Sequence, residues 1–479
     1  MHEKYLKFRA EYPEFIYKGF EKEKKNGRLC VRYHFSVPGL ADFYPDLDFP
    51  LEAPHDLNPP DSAAADEILF SIGMVELISY WKIACPPEVI IENHPLSEEQ
   101  KKWWKALYFG GLGEFFYRNG IEVNKEDFMQ ITCRGDAGPV NRTFSFRSSG
   151  KNMIPVGGGK DSIVTIEHMA ALKEKNMLFA INPSGAAKDT MRIAGYPETQ
   201  RSIVGRRLDP EMLRLNSEGF LNGHTPFSAL LAFVSYFCAY LCGAEYIVLS
   251  NEASANAASI PGTEINHQYS KTSEFERAFQ SYCKDYLLPE IYYFSLLRPF
   301  AEIAIARSFA SYPEYLPYFR SCNLGSKKNI WCNQCAKCLF VFIILSPFLP
   351  QDDAAVYFGR NLWEAEDLEE DFLRLSGAVE VKPFECVGTV EEVQYALYLE
   401  LLRRFKEISE AKDLPYLLNL AFELARAGRL QHLKFNESEA KLSFDAGYDP
   451  LVTWHTEESL PESFKPLVAD IVAEGERYA

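Results

Sequence analysis

The stretch "NMIPVGGGKDSIVTIEHM", Asn152 to Met169, joins a short apolar run to three glycines and then to a helical pattern. Backbone N–H groups can cradle phosphate where no Cβ blocks the approach, and a helix N-terminus adds a favourable dipole. A strand, a glycine turn and a helix over Ser162–Ala171 would supply that geometry. The stretch therefore predicts a phosphate-binding loop at Gly157–Gly159.

The two residues after the glycines carry opposite charges. Lys160 can neutralise phosphate, whereas Asp161 would repel it and is better explained as a Mg²⁺ ligand that bridges to phosphate oxygens. The loop is not a Walker A motif, because Ile154 stands where the first glycine is needed and Asp161 follows the lysine. It half matches the dinucleotide fingerprint, but no ribose-binding acid follows the next strand. A glycine turn with a solvated Lys–Asp pair is the alternative interpretation.

Length and charge limit the class of protein. A chain of 479 residues is expected to form two or three domains. Its net charge of -17 argues against a nucleic-acid binder, because phosphate contacts need clustered lysine and arginine. We therefore expect an acidic enzyme that acts on small molecules.

Three regions follow from the sequence pattern. Residues 1–148 are aromatic-rich with strand-like pieces and predict an N-terminal α+β domain. Residues 149–348 alternate strand and helix and predict an α/β domain with a parallel sheet. Residues 349–479 predict a mostly helical C-terminal region. The strands predicted in the middle region are Met153–Val156, Leu178–Ile181, Ser202–Val204 and Tyr246–Leu249.

The most apolar run is "SALLAFVSYFCAYLCGAEYIVLS", Ser228 to Ser250. Thr225 and Pro226 predict a helix start and Gly243 a helix end, followed by a buried strand. This helix–strand unit fits a protein core better than a bilayer. The charged N-terminus does not resemble a signal peptide, so we expect a soluble cytoplasmic protein without membrane contact.

Four of the eleven cysteines cluster in "SCNLGSKKNIWCNQCAKC", with the spacing C-x9-C-x2-C-x2-C. Four thiolates on short loops suit tetrahedral Zn²⁺, and because four ligands close the shell we predict a structural site. An iron–sulfur cluster is one alternative, and a chance or redox C-x2-C-x2-C motif is another. The predicted ligands are Cys322, Cys332, Cys335 and Cys338.

"GGGKDS" resembles the SGGxDS loop of the PP-loop ATP pyrophosphatases, whose fold is of the adenine nucleotide α hydrolase-like (HUP) type. The resemblance implies that the loop grips the pyrophosphate of ATP while a substrate atom attacks the α-phosphorus. It also implies adenine recognition at the end of the next strand. Gly157 stands where that family has serine, which removes one hydroxyl donor to phosphate. The nucleotide-binding residues implied are Gly157, Gly158, Gly159, Lys160, Asp161, Ser162 and Asn182.

The cysteine pattern is similar to that of 7-cyano-7-deazaguanine synthase, a shorter PP-loop enzyme that activates a carboxylate with ATP and then aminates it. The whole chain more closely resembles the MurL family of UDP-N-acetyl-α-D-muramoyl-L-alanyl-L-glutamate epimerases. The stretches that carry this resemblance are "YWKIACPPEVIIE", "GGLGEFFYRNGI", "PVGGGKDS", "NGHTPFSALLAF", "IVLSNEASAN" and "WCNQCAKC".

The MurL resemblance implies epimerisation of the terminal L-glutamate of the UDP-muramoyl dipeptide after its carboxylate is adenylylated, with release of AMP and pyrophosphate. Adenylylation removes the carboxylate charge and acidifies the α-proton. A base on one face can then remove that proton while another returns on the opposite face. The implied cofactors are ATP, Mg²⁺ and structural Zn²⁺, and the implied pathway is peptidoglycan precursor synthesis.

The sequence does not identify which residues transfer the proton. Proton transfer needs a group of tuned pKa within hydrogen-bond reach. The basic segment "RSIVGRR", residues 201–207, is either a solvated face or a contact for the UDP diphosphate. Acid–base candidates expected near the strand ends, each with packing or solvation as the alternative, are His224, Glu252, His267 and Lys271.

Three rival functions remain at the level of sequence. An amidase or synthetase of the deazaguanine type would require ammonia, which the epimerase would not. A tRNA-modifying PP-loop enzyme fits the net charge poorly. A non-catalytic, zinc-stabilised nucleotide-binding regulator would explain the missing serine at Gly157, although Lys160, Asp161 and Ser162 favour catalysis.

Overall fold

A computed structural model of the chain describes residues 2–135, 144–258, 265–380, 382–408, 410–455 and 459–475. Its β-strands are β1 (Glu14–Lys25), β2 (Arg28–Val37), β3 (Ala41–Phe43), β4 (Asp46–Pro50), β5 (Glu88–Glu92), β6 (Gln130–Arg134), β7 (Lys151–Pro155), β8 (Asn176–Ile181), β9 (Arg201–Arg207), β10 (Ala244–Leu249), β11 (Tyr292–Ser295), β12 (Leu433–Asn436) and β13 (Lys441–Phe444). Its α-helices are α1 (His2–Glu11), α2 (Ala63–Glu76), α3 (Ile78–Trp81), α4 (Glu98–Gly111), α5 (Gly113–Arg118), α6 (Lys160–His168), α7 (Gly185–Ile193), α8 (Pro210–Ser217), α9 (Phe227–Cys242), α10 (Ser273–Tyr286), α11 (Glu302–Ala310), α12 (Ala336–Leu345), α13 (Asp353–Phe358), α14 (Glu369–Leu375), α15 (Val390–Arg404), α16 (Tyr416–Arg426) and α17 (Ala469–Gly475).

Five strands form a parallel half-sheet in the order β11-β10-β7-β8-β9. The chain enters at β7 in the middle, adds β8 and β9 on one side, and then adds β10 and β11 on the other. This change of direction creates a switch point between β7 and β10, where open α/β sheets bind ligands beyond the carboxyl ends of the strands. The predicted α/β class and all four predicted strands are confirmed.

Pro155 ends β7 at a position where its missing N–H costs no ladder hydrogen bond. The N–H of Val156 donates to the carbonyl of Phe179 on β8 at 2.8 Å, so strand alternation directs the nitrogen of Pro155 toward β10. The pairing of β7 with β10 has already ended at Met153, opposite Ile247. A proline is therefore tolerated in this central strand.

The strands of the first region continue the same sheet. β4 pairs antiparallel with β9, with Asp46 opposite Arg207. Beyond β4 the order is β2, β1, β5 and β6, and β3 is added to β2. Asn26 and Gly27 turn β1 into β2 with φ of 51° and 70°, the left-handed conformations of a tight hairpin. The domain boundaries near residues 148 and 348 stay predictions.

The apolar run of the middle region forms α9, which packs against α2 and leads directly into β10. Its N-cap is Pro226, one residue later than predicted, and it ends at Gly243 with φ of 71°. Across the ranges that the structure describes, no helix combines the length and apolarity needed to cross a bilayer.

The C-terminal region is mostly helical, as predicted, and shares a hydrophobic core with α6, α11 and the parallel half-sheet. The two helical patterns in its sequence form α15 and α16. The hairpin of β12 and β13 was not predicted, because strands of four residues are too short for an alternation of apolar and polar residues to be recognised.

The arginines of the basic segment have structural partners within the sheet and its helices. Arg201 donates to a backbone carbonyl at 3.0 Å. Arg206 forms a two-pronged ion pair with Glu76 of α2, with N–O distances of 2.8 and 3.0 Å. Arg207 pairs with Asp46 across β9 and β4 at 2.9 Å. The arginines that were considered as contacts for the UDP diphosphate are thus bonded within the protein.

Replacing Glu76 with alanine should lower the free energy of unfolding by about 3–5 kcal/mol, because Arg206 would remain buried without its partner. The side chains of Glu76 and Arg206 are 1% and 14% exposed. Thermal unfolding followed by circular dichroism measures the loss. Arg192→Ala is the control and should change little, since Arg192 and its partner Asp189 have side chains that are 59% and 30% exposed. Equal losses in both variants would contradict this account.

Candidate functional site

The glycine loop connects β7 to α6 and lies at the switch point of the sheet. The helix begins at Lys160 with Gly159 as its N-cap, two residues earlier than predicted. Gly158 has φ of +85°, and a Cβ there would overlap the backbone nitrogen of Ala187 in α7. A Cβ on Gly157 would meet nothing within 4 Å. Glycine is thus required at position 158, and position 157 borders space through which an anion can reach the helix N-terminus.

Lys160 is almost completely buried, with 1% of its side chain exposed. Its ammonium forms ion pairs with Asp161 and with Glu302 at the start of α11. Burial favours the neutral amine, but the two carboxylates outweigh it and raise the pKa of Lys160. Against the effect of burial, Lys160 and Lys337 hold the pKa of Asp161 below its usual value. The alternative of a solvated Lys–Asp pair is therefore wrong.

Three further buried carboxylates lie around this ion pair, and only Glu252 among them was a candidate from the sequence. Burial raises the pKa of Glu302 to about 7, although Lys160 opposes the shift. Glu392, in the first turn of α15, accepts a hydrogen bond from the backbone N–H of Glu302 at 2.5 Å, and burial raises the pKa of Glu392 to about 7. Burial also raises the pKa of Glu252. Glu302 is the last residue of "RPFAE", in which a proline precedes the start of a helix. Glu392 gave no signal in the sequence beyond helix capping.

Two more lysines contribute positive charge to these carboxylates. Lys271 lies in the chain after β10, and Lys337, which the sequence analysis missed, lies in the first turn of α12. Despite burial, Cys386 and Glu252 raise the pKa of Lys271. Buried Arg298 fixes this arrangement by donating to the backbone carbonyls of Glu252 at 2.7 Å and Lys271 at 2.6 Å. The segments that follow β10 and β11 are thus held together beside the loop.

His224 and His267, both candidates from the sequence, meet at Glu114 of α5. Their ring centroids are 4.4 Å apart. Nδ1 of His267 hydrogen-bonds Glu114 Oε2 at 2.5 Å, and Nδ1 of His224 lies 3.8 Å from the same oxygen. Burial alone would lower the pKa of His267, but Cys386 and Glu114 outweigh burial and raise it to about 9. His267 is therefore cationic at neutral pH. Burial and the charge of His267 lower the pKa of His224 to about 4, so it is neutral.

Cys386, from the loop between α14 and α15, joins this cluster and was not singled out in the sequence. Its Sγ lies 3.5 Å from Lys271 Nζ and also interacts with His267. Lys337 donates to its backbone carbonyl. Burial opposes ionisation, but Lys271 and His267 outweigh it and lower the pKa of Cys386 to about 6. The adjacent Glu385 was the one available signal in the sequence.

Asn182 and Ser162 have structural partners for their side chains. Asn182 follows β8 with φ of 44°. Its side-chain amide donates to the carbonyl of Arg206 at 2.7 Å and accepts from the N–H of Arg206 at 3.1 Å. Ser162 Oγ donates to the carbonyl of Gly159 at 3.0 Å. Both side chains are therefore hydrogen-bonded within the protein.

The four clustered cysteines converge as their spacing predicts. Their sulfur atoms all lie within 4.8 Å of one another, and the Sγ atoms of Cys332 and Cys338 are 3.6 Å apart. Four Zn–S bonds of about 2.3 Å in a tetrahedron place the sulfurs about 3.8 Å apart, so this spacing fits one metal ion. The N–H of Gly325 donates to Cys322 Sγ at 3.0 Å, which stabilises a thiolate. The donor set is compatible with a structural zinc.

The cysteine cluster is attached to the glycine loop. The segment just before its first cysteine crosses the loop, and there the N–H of Arg320 donates to the carbonyl of Gly158 at 3.0 Å. The hydroxyl of Ser321 lies so close that a Cβ on Gly159 would be 2.7 Å from it. α12 begins directly after the third cysteine and carries Lys337. An ion in the cluster would therefore hold both the loop and Lys337 in place.

Two family models match the chain, the MurL N-terminal domain over residues 7–296 and the MurL C-terminal domain over residues 318–427. The chain belongs to the MurL family. The first match spans all five strands of the parallel half-sheet, and the second includes the cysteine cluster and most of the C-terminal helices. No solved structure gives a significant match.

Three curated relatives of the MurL family cover most of the chain, and each is named UDP-N-acetyl-alpha-D-muramoyl-L-alanyl-L-glutamate epimerase. The relative from Xanthomonas oryzae pv. oryzae is 34% identical, over 72% of this chain and 77% of its own length. The relative from Salinispora tropica is 31% identical, over 80% and 84%. The relative from a Micromonospora species is 34% identical, over 80% and 86%.

Serine should be tolerated at position 157 and rejected at position 158. Gly158→Ser places a side chain on a left-handed residue and against the backbone of Ala187, so it should destabilise the protein by about 1–3 kcal/mol. Gly157→Ser enters open space and should leave the melting temperature nearly unchanged. Differential scanning calorimetry of the two variants measures this. Similar melting temperatures for both would show that the loop is not fixed as described.

Proposed function

We propose that this chain is an ATP-dependent epimerase that converts the terminal L-glutamate of UDP-N-acetylmuramoyl-L-alanyl-L-glutamate to D-glutamate in peptidoglycan precursor synthesis. The glutamate carboxylate is adenylylated, and AMP and pyrophosphate are released. One observation carries the proposal: a chain of the MurL family places a glycine loop, a lysine and a carboxylate at the switch point of a parallel sheet.

Activation of the carboxylate explains why an epimerase needs a nucleotide-binding loop. An α-proton beside a free carboxylate is too weakly acidic for removal at useful rates, because the enolate would carry two negative charges. An acyl adenylate has lost the carboxylate charge, so its enolate carries one charge fewer. Donors and cations placed beside the enolate oxygen can then lower the barrier further.

The phosphates of ATP would contact the backbone N–H groups of Gly157–Gly159 and the N-terminus of α6. Lys160 supplies positive charge beneath the loop. Asp161 suits Mg²⁺ because its carboxylate is ionised and 26% exposed, and Mg²⁺ neutralises phosphate charge when bound. We count Lys160 and Asp161 as catalytic in this electrostatic sense. Asn182 marks the strand end that would meet the adenine.

Three side chains remain proposals for moving protons. His224 is neutral and can accept a proton, whereas cationic His267 can stabilise a developing negative charge. Glu252, with its raised pKa, lies nearer the glycine loop and is electrostatically coupled to Asp161. Their different pKa values suit a reaction that needs both an acid and a base.

A cavity of about 1120 Å³ offers room for the rest of the substrate. Gly113 and Asn266, chain neighbours of Glu114 and His267, line it. Arg277 also lines the cavity and offers a cation for a diphosphate. Its volume exceeds the usual range of about 300–1,000 Å³ for small-molecule sites, which suits a ligand composed of a nucleotide, a sugar and a dipeptide.

Zinc is the proposed occupant of the cysteine cluster, with a structural role. Sulfur atoms within 4.8 Å of one another suit a single ion, whereas a cluster of several irons holds its cysteine sulfurs farther apart. All four ligand positions are then filled by protein, so the ion would take no part in the reaction.

Incubation of the full chain with ATP, Mg²⁺ and the UDP-dipeptide in D₂O tests the proposed reaction. AMP, pyrophosphate and a D-glutamate product with deuterium at its α-carbon should appear together and only with ATP. The UDP-muramoyl monopeptide that lacks glutamate is the matched control and should give no AMP. AMP without deuterium, or an added requirement for ammonia, would contradict epimerisation and favour amidation.

Removal of one zinc ligand should lower the stability of the chain. Cys335→Ser should abolish binding of about one zinc per chain, measured by mass spectrometry of the metal content. For a chain of 479 residues that unfolds as one unit, a loss of only 2 kcal/mol would lower the melting temperature by about 2 °C. Cys133→Ser lies outside the cluster and should retain both zinc and stability. Iron in the purified chain, or full stability without metal, would refute the structural zinc.

A further inference from the structure

Glu114, His267 and Cys386 lie in series at the edge of the proposed active site. Nδ1 of His267 hydrogen-bonds Glu114 Oε2 at 2.5 Å, and the same imidazole interacts with the thiol group of Cys386 and lowers its pKa. The order carboxylate, imidazole, thiol is that of an activated thiolate, in which each group orients the next. The three residues lie in α5, in the chain after β10 and in the loop before α15, so only the folded chain brings them together.

Cys386 differs from the thiols packed in the apolar core. Burial raises the pKa of those thiols, which are Cys85, Cys238, Cys242 and Cys283. Cys386 is half-buried, and the cations that face it are Lys271, His267 and Lys337. The adjacent Glu385 is a carboxylate that opposes them, and Glu114 and Glu252 partly balance His267 and Lys271. With a pKa of about 6, Cys386 is mostly thiolate at neutral pH.

This series is connected to the glycine loop through Lys271. The ammonium of Lys271 lies 3.5 Å from Cys386 Sγ and also interacts electrostatically with Asp161 and Glu252. Lys337 makes the same link, because it donates to the carbonyl of Cys386 and lowers the pKa of Asp161. Lys271 and Lys337 therefore contribute positive charge both to the glycine loop and to the thiolate.

We propose that Cys386 is the base that removes the α-proton of the activated glutamate from one face, with His267 and Glu114 as positioning residues. This inference rests on the adenylylation proposed above. The Cα–H bond breaks, its electron pair moves onto the carbonyl oxygen to give an enolate, and an S–H bond forms. An acid in exchange with water then protonates the opposite face and the carbonyl re-forms. Hydrolysis of the acyl–phosphate bond releases AMP and the inverted glutamate, and the thiol returns its proton to water.

The groups around the sulfur suit supporting roles. His267 and Lys271 both have raised pKa values and are cationic at neutral pH, so neither can accept the proton. Both can stabilise the thiolate before the transfer and the enolate after it. Of these three side chains, Cys386 alone is a proton acceptor at neutral pH.

The test compares Cys386→Ala and Cys386→Ser with the wild-type chain in two assays. Exchange of pyrophosphate with ATP in the presence of the UDP-dipeptide measures adenylylation, and deuterium uptake at the α-carbon in D₂O measures proton transfer. Both variants should keep the exchange within about threefold and lose deuterium uptake by at least about 100-fold. Cys30→Ala, a half-buried thiol of β2, is the matched control and should keep both activities and the melting temperature.

Alkylation of the wild-type chain by iodoacetamide tests the thiolate without relying on a variant of Cys386. The rate at Cys386, followed by mass spectrometry of its peptide, should be half-maximal at about pH 6. In His267→Gln, which removes the bonded cation, this midpoint should rise by about one pH unit or more.

Several results would overturn the proposal. Deuterium uptake retained in Cys386→Ala, or an alkylation midpoint near pH 9 in the wild type, would exclude a thiolate base. Loss of both activities in Cys386→Ser would assign the residue to adenylylation, and an acyl group found covalently on Cys386 would make it a nucleophile. A metal ion bound by Glu114, His224 and His267 would refute their positioning role. Absence of pyrophosphate exchange in the wild type would instead refute the proposed function itself.

Discussion

The site depends on one buried ammonium, that of Lys160. A buried cation destabilises a protein by several kcal/mol unless carboxylates surround it, so its partners cannot be moved independently. One partner, Asp161, belongs to the glycine loop, and the other, Glu302, begins α11. The backbone of Glu302 is in turn held by Glu392 of α15. A single charge thus links the glycine loop and the parallel half-sheet to the C-terminal helices. Cys386 lies in the loop just before α15, so the same contacts help to place it beside the site.

The charge distribution resolves an apparent conflict between an acidic chain and anionic substrates. The net charge is -17, yet the cations Lys160, Lys271 and Lys337 are concentrated beside the glycine loop. Before any ligand binds, Asp161 and the neighbouring buried carboxylates balance them. Phosphates and Mg²⁺ would enter a pocket whose charges are already fixed in place, which favours electrostatic stabilisation without rearrangement.

Local features of the site could be predicted from the sequence, and distant contacts could not. The glycine loop and the cysteine cluster each lie within a short stretch whose spacing determines its geometry. Four of the five strands of the half-sheet were also predictable, because each is a short apolar run, whereas β11, a strand of four residues, was not predicted. The series of Glu114, His267 and Cys386 was missed, since these residues are separated by more than 100 positions and nothing in their own segments specifies the others. The structural roles of Arg206 and Arg207 likewise depend on partners in other regions.

The central claim is that the carboxylate of the substrate is adenylylated, and the fate of its oxygen tests this most directly. The UDP-dipeptide would be prepared with ¹⁸O in the α-carboxylate of its L-glutamate and turned over with ATP and Mg²⁺. Mass spectrometry would then locate the label. This account predicts one ¹⁸O in the phosphate of AMP for each D-glutamate formed. Unlabelled AMP accompanying a D-glutamate product would contradict it.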